Sequence, residues 1–210
     1  PLFKLPPYSL ALASKICEIA EEFSLEVIHA HYAIPNAVAA LLARDMMPEE
    51  KRFCLVTTLH GTDITLVGGH PSFYRTTRYG MENSCIVTAV SDWLNQETMR
   101  EFSLSRPVRT IYNFLDGEKF APRKCNRDAL ASPEEKIIMH ISNFRPVKRV
   151  TDVVRVFKKV ADAMPAKLVM VGDGPERLAA AGVAKQLGIA DRILYLGNYE
   201  NIEEILSCAD

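Results

Sequence analysis

"AKLVMVGDGPERLAAAGVAKQLGIADRILYLGN", residues 166–198, decides the fold. It opens on an apolar run broken only by Lys167, and turns through Gly172-Asp173-Gly174-Pro175. It then enters "ERLAAAGVAKQLG", a helical stretch with Pro175 at its first position and Gly188 placed as a C′ residue. "RILYLGN" closes it with a second apolar run. Strand, helix and strand in this order, with strands apolar throughout, describe a parallel sheet covered by helices on both faces.

The same alternation runs outward in both directions. "KIIMHIS" (136–142) precedes a helix bearing Val150, Val153, Val154, Phe157 and Val160, and "NIEEILSCA" (201–209) reads as a helix. Toward the amino end, Leu12, Ile16, Ile19 and Phe23 recur at helical spacing after Pro6-Pro7. "LEVIHAHYA" (25–33) is a short apolar run that turns polar, and 34–47 reads as a helix with Pro35 in its first turn. "RFCLVTTLHG" (52–61), "CIVTAV" (85–90) and "VRTIYNF" (108–114) read as strands. Between them lie a loop through Gly68-Gly69, a helix near 72–82 and a helix capped by Ser91. Asp116–Glu135 is charged, carries Pro122 and Pro133 and lacks periodicity, which marks a linker. The expected organisation is two α/β lobes, 1–115 and 136–210, joined by 116–135. The chain starts at Pro1 in front of a helix and stops near the end of another, so both lobes are expected to be incomplete pieces of a longer protein.

Composition excludes several classes of function. The net charge of −1 gives no electrostatic case for nucleic acid or an anionic membrane. No apolar run approaches the roughly 18 residues of a membrane span, and no signal-peptide pattern opens the chain. Cys17, Cys54, Cys85, Cys125 and Cys208 are odd in number, scattered and without a CxxC, which favours reduced thiols in a cytoplasmic protein.

In open parallel sheets ligands bind beyond the carboxyl ends of the strands. Those ends here are "HAHY", "TTLHGTD", "AVSD", "YNF", "HISNFRPVKR", "VGDGP" and "LGNY". Arg145, Lys148 and Arg149 follow a strand where a helix begins, an arrangement suited to a diphosphate. Gly172 and Gly174 would let the backbone approach a ligand closely, although a tight strand-to-helix turn needs glycine just as much. His29 and His31 share a strand face, and with His60, Asp63 and His70 they raise a zinc-hydrolase alternative, weakened by the absence of a carboxylate at short spacing. His140 sits inside an apolar strand and reads as a hydrogen-bonded core residue. Asp63 or Thr62 is a candidate cap for the helix that follows.

"TTLHGTD", "VTAVSDWL", "YNFLD", "HISNFRPVKR", "VGDGPE" and "LGN", in this order, resemble the family 4 retaining glycosyltransferases of the GT-B fold. "LASKICEIAEE", "VIHAHYAIPNAVAA" and "TTLHGTDITLVG" sharpen the resemblance to members that move GlcNAc from UDP-GlcNAc to the hydroxyl of L-malate in bacillithiol biosynthesis. The resemblance implies two Rossmann-like lobes, acceptor-binding over 1–115 and nucleotide-sugar-binding over 136–210. It places His60 beside the sugar, Arg145 and Lys148 on the departing diphosphate, Gly172, Gly174 and Asn198 on the nucleotide, and Tyr32, Thr58 and Arg78 on the acceptor. It implies no metal and no cofactor beyond the donor sugar nucleotide. Its partners would be UDP-sugar and malate, with neither nucleic acid nor stable membrane insertion, and a homo-oligomer is compatible with it. Ser142-Asn143 stands where the family usually has Gly-Arg, so Arg145 is expected to replace that arginine. The family's amino-terminal glycine-rich loop and downstream Glu-bearing donor motif are absent from these residues, so this piece alone is expected to be inactive. Other acceptors (a glycan or a lipid) and a non-catalytic nucleotide-binding module remain the competing readings.

Overall fold

The computed structural model describes residues 7–210; Pro6 and the residues before it lie outside the described part. The chain divides into two compact units between Phe114 and Leu115. The first holds a four-stranded parallel sheet in the order β1 (Val27–His31), β2 (Cys54–Leu59), β3 (Ile86–Ala89), β4 (Arg109–Thr110). The second holds a three-stranded parallel sheet, β5 (Lys136–Ile141), β6 (Ala166–Val171), β7 (Ile193–Gly197).

Helices α1 (Tyr8–Glu22), α2 (Val38–Met46), α3 (Thr62–Thr65), α4 (Pro71–Glu82) and α5 (Asp92–Phe102) belong to the first unit. Helix α1 packs through the small residues Ala13 and Ala20, near Ala39, Ala40 and Ala43 of α2. Of the expected stripe, Leu12 and Ile16 pack against this cluster, whereas Ile19 and Phe23 are exposed. The helix expected over 34–47 starts later. Ile34 is extended (φ −129°, ψ 141°), as the residue before proline prefers, and an irregular turn Ala33–Ala37 precedes α2. The strand expected over 108–114 is shorter too, pairing only through Arg109–Thr110 before Ile111 donates to the Ala89 carbonyl. Ser91 caps α5 as expected, its Oγ accepting from the Leu94 N–H at 3.2 Å.

Strand register shows which faces are covered. In the second unit Leu168 and Met170 of β6 pack with Val154 and Phe157 of α6 (Val150–Ala163) and Ala180 and Ala184 of α7 (Arg177–Gln186). Val169 and Val171 point the other way, into a cluster with Leu130, Ala131, Ile205 of α8 (Ile202–Leu206) and Cys208. This sheet is covered on both faces, as the unbroken apolar strand requires. In the first unit Ala30, Leu55, Leu59, Val87 and Ala89 lie in the clusters that hold the helices. The alternate positions Val27, His29, His31 and Ile86 are exposed. Thr58 and Thr88, on that same face, are buried, so among the described residues the second face is covered only in part, a departure from the two-sided expectation.

The stretch 116–135 is less of a linker than its charge suggests. Leu130 and Ala131 are buried, and Arg127 donates to the carbonyls of Cys208 and Glu135 and pairs with Asp210 at 2.7 Å. Cys125 forms a disulfide with Cys208, where reduced thiols were expected. The partners are 83 residues apart and meet only because α8 returns against this segment, so sequence spacing conceals them.

Candidate active site

At the carboxyl ends of β1 and β2, register places His29 beside Val56 and His31 beside Thr58, which sits beside Thr88 of β3. Period-two alternation therefore puts both histidines, Thr58 and Thr88 on one face. His29 Nε2 lies 2.7 Å from Thr58 Oγ1, which lies 2.6 Å from Thr88 Oγ1. His31 Nδ1 lies 2.7 Å from His60 Nε2, so a single N–H bridges the two rings. The rings of His29 and His31 stack at 4.5 Å, and Tyr32 tilts against His60 at 5.0 Å. Burial first, then the neighbouring charges of His31 and His60, hold the His29 pKa below its ordinary value.

Two backbone features hold this cluster. Tyr32 has φ +76°, a conformation strained for an aromatic residue, and its N–H donates to the Thr58 carbonyl at 2.9 Å. Asp63, only 3% exposed, accepts from the N–H groups of His60 (3.1 Å) and Gly61 (3.0 Å) through Oδ1 and of Ala33 (3.0 Å) through Oδ2. Asp63 is thus not the cap of α3 that the sequence suggested; it reaches back to the preceding loop and across to the β1 loop.

The zinc alternative loses its ligands here. The histidine nitrogens face Thr58 and one another, Asp63 faces backbone amides, and His70 Nδ1 accepts from the Ser72 N–H as the cap of α4. Among the described residues, no three His, Cys, Asp or Glu side chains are grouped to hold an ion.

Arg78 lies on α4. Its guanidinium donates to the Ser103 carbonyl at 3.2 Å and lies 3.8 Å from Glu82.

In the second unit the strand tips are joined by backbone. Ser142 N–H donates to Val171, Phe144 N–H to Asp173, Glu176 N–H to Phe144, and Gly172 N–H to Gly197, at 2.7–3.0 Å. Gly172 (φ +114°) leaves no room for a Cβ, which would overlap the Ser142 carbonyl oxygen; a Cβ on Gly174 would lie 2.8 Å from the Phe144 N and O. The glycines are therefore required by this loop-to-loop approach, the tight-turn reading of the sequence. Phe144 is fully buried and anchors the loop.

That anchor leaves the basic residues on display. Arg149 is paired with Asp152 at 2.6 Å, and the hydrogen bonds from Arg149 and Arg155 keep the Asp152 carboxyl below its ordinary value. Arg145 and Lys148 are exposed, and among the described residues neither side chain has an ion pair or hydrogen bond. Asn198 is exposed beyond β7. His140, expected in the core, is half-buried, with Nε2 2.8 Å from Ser142 Oγ. Burial, then the Lys148 charge, lowers its pKa. The triplet thus resolves into two available cations and one held by its own helix.

The family model described as Glycosyltransferase Family 4 matches residues 1–119, and Glycosyl transferases group 1 matches 123–210. The chain is 46% identical over its full length to N-acetyl-alpha-D-glucosaminyl L-malate synthase of Bacillus anthracis, of which it covers 55%. Among solved structures, HepE of Anabaena in complex with UDP and glucose is similar at a TM-score of 0.78 and 19% identity, over 95% of this chain and 54% of that one. Sucrose-phosphate synthase of Thermosynechococcus elongatus is similar at 0.76 and 17%, over 100% and 56%. The chain spans about half the length of these proteins. Its two parallel-sheet units have the GT-B fold, and the chain belongs to the family 4 glycosyltransferases.

Proposed function

We propose that the protein carrying this chain transfers GlcNAc from UDP-GlcNAc, with retention, to the hydroxyl of L-malate, the reaction of bacillithiol biosynthesis. The observation that carries the reading is the 46% identity, over the full length of this chain, to a GlcNAc-malate synthase. Residues 1–115 serve the acceptor and 136–210 the nucleotide sugar. Arg145 and Lys148, exposed and unpaired among the described residues, neutralise the diphosphate as its charge grows, a role that in this reading needs no metal. Asn198, Gly172 and Gly174 border the nucleotide, the glycines by keeping the interlocked turn open. His60 stands by the sugar, and Tyr32 and Thr58 face the acceptor. Arg78, whose guanidinium also donates to the Ser103 carbonyl, is the cation suited to a bidentate grip on a malate carboxylate. Among the described residues no helix is long and apolar enough to cross a membrane; the reaction is placed in the cytoplasm with the rest of this reading.

A second reading keeps the chemistry and enlarges the acceptor to a glycan or lipid. Trp93, Ile111, Tyr112 and Phe114 favour it, since all four are well exposed near the tips of β3 and β4, where aromatic faces suit sugar rings or apolar chains. One assay separates the two. A full-length protein carrying this sequence is given UDP-GlcNAc with malate, other hydroxy acids, glycans and lipid acceptors, and products are read by mass. GlcNAc-malate as the dominant product is expected. Transfer only to a glycan or lipid would replace malate, and no transfer to anything would end both readings.

A further inference from the structure

The carboxylate of Asp63 is buried, yet every contact it makes is to backbone N–H: His60 and Gly61 on the loop after β2, and Ala33 on the loop after β1. It is the polar link between two loops that carry, on either side of those amides, His60, Tyr32 and His31. The His31–His60 hydrogen bond at 2.7 Å joins the same two loops from the ring side. The strained φ of Tyr32 lies between His31 and the anchored Ala33. Strain of this kind persists only where surroundings over-determine the backbone. Here the Thr58 carbonyl holds the Tyr32 N–H and Asp63 holds the next one along.

We propose that Asp63 is the positioning residue of the acceptor side: its buried carboxylate sets the spacing of the two loops, and so fixes the His31–His60 pair and Tyr32 in the arrangement an acceptor meets. Asp63 touches no substrate in this scheme. The inference deepens the function proposed above and rests on it for its catalytic consequence, but not for its structural one.

The chemistry of the site names the decisive variant. Asp63→Asn has the same shape but one acceptor oxygen. With that oxygen on His60 and Gly61, the amide NH2 faces the Ala33 N–H, donor against donor. The link to the β1 loop is lost while the link within the β2 loop survives. Amide exchange of Ala33 should accelerate at least tenfold, with Gly61 changed far less. In the full-length protein, the acceptor KM should rise about tenfold or more, while the UDP-GlcNAc KM stays within about twofold. A residue that merely stabilised the fold would lower the yield of active protein without splitting the two KM values. His31→Phe keeps a stacked ring and removes the ring nitrogen. It should raise the acceptor KM in the same direction with Ala33 exchange untouched.

If Asp63→Asn does not fold, exchange in the unsubstituted protein still decides. Ala33 and Gly61 should both exchange much more slowly than the exposed Thr62. Fast exchange at Ala33, or unchanged Ala33 protection and acceptor KM in Asp63→Asn, overturns the proposal. If no hydroxy acid accepts sugar, the functional reading fails alone, and the exchange comparison still stands or falls by itself.

Discussion

The two units solve the same problem at their strand tips by opposite means. In the first, side chains do the joining: an imidazole pair, a threonine relay and one buried carboxylate bind neighbouring loops, with a strained tyrosine among them. In the second, backbone joins backbone, two glycines allow the contact, and the charged side chains are left over. The first arrangement presents side chains hydrogen-bonded to one another. The second presents a rigid frame with cations awaiting an anion. The contrast suits an uncharged hydroxyl nucleophile on one side and a dianionic leaving group on the other. A hydroxyl needs orientation, whereas a diphosphate needs charge close to where charge develops.

The sharpest way to break the comparison is to ask whether the unpaired cations differ in kind from the paired one. Lys148→Ala in the full-length protein should lower kcat by about 10²–10³, the usual cost of removing one transition-state charge partner. Arg149→Ala, one residue away, removes a cation already paired with Asp152, and kcat should stay within about threefold. Equal effects from the two substitutions would mean that a general positive potential, not a placed charge, serves the diphosphate. Loss only with Arg149→Ala would reverse the assignment.

The backbone interlock has its own control. Gly172→Ala should destabilise the second unit by about 3 kcal/mol, because the new methyl overlaps the Ser142 carbonyl and φ is positive. Gly182→Ala lies inside α7, where a Cβ meets nothing within 4 Å, and should stabilise by about 0.5–1 kcal/mol. Urea unfolding followed by a probe in the second unit measures both. Should Gly172→Ala be as stable as the parent, the loops are not held together as described, and the glycines return to being ligand-facing.

Much of this was legible in the sequence, and the reason for each gap is physical. Strand–helix alternation gave the fold class because covered parallel strands must be apolar, and "AKLVMV" is buried at nearly every position. The exposed face of the first sheet was not read from the sequence, where apolar strands led to an expectation of cover on both sides. Spacing placed His60, Arg145 and Lys148 at strand tips. It could not tell Lys148 from Arg149, since that depends on a salt bridge formed by the helix turn. Nor could it give Asp63 its partners, because Ala33 is thirty residues distant and contributes only its backbone. Nor could it show that the Arg78 guanidinium reaches the Ser103 carbonyl, which lies 25 residues away.

The smallest expected effect is also the one that tests both sides at once. His29 and His140 have pKa values below the ordinary histidine value of about 6.5, through burial first and neighbouring positive charge second. The unfolded chain therefore binds more protons than the folded one as pH falls through about 6.5. Stability should be full above that point, decline below it, and stop declining once pH has passed under the lowered folded values. His140→Asn, which keeps a polar partner for Ser142, should flatten that decline in the second unit, and His29→Gln should do so more weakly in the first, where the ring is exposed. An unaltered decline in both variants would assign it to carboxylates. The two histidines should then part company when UDP is added. Part of the depression of His140 comes from the Lys148 ammonium, so an anion neutralising Lys148 should let the His140 pKa rise, whereas His29, depressed by burial and by other histidines, should not respond. Histidine ring resonances followed against pH, with and without UDP, read both. A rise at His140 alone would put the diphosphate on Lys148 without any measurement of turnover, and equal behaviour at the two rings would take it away.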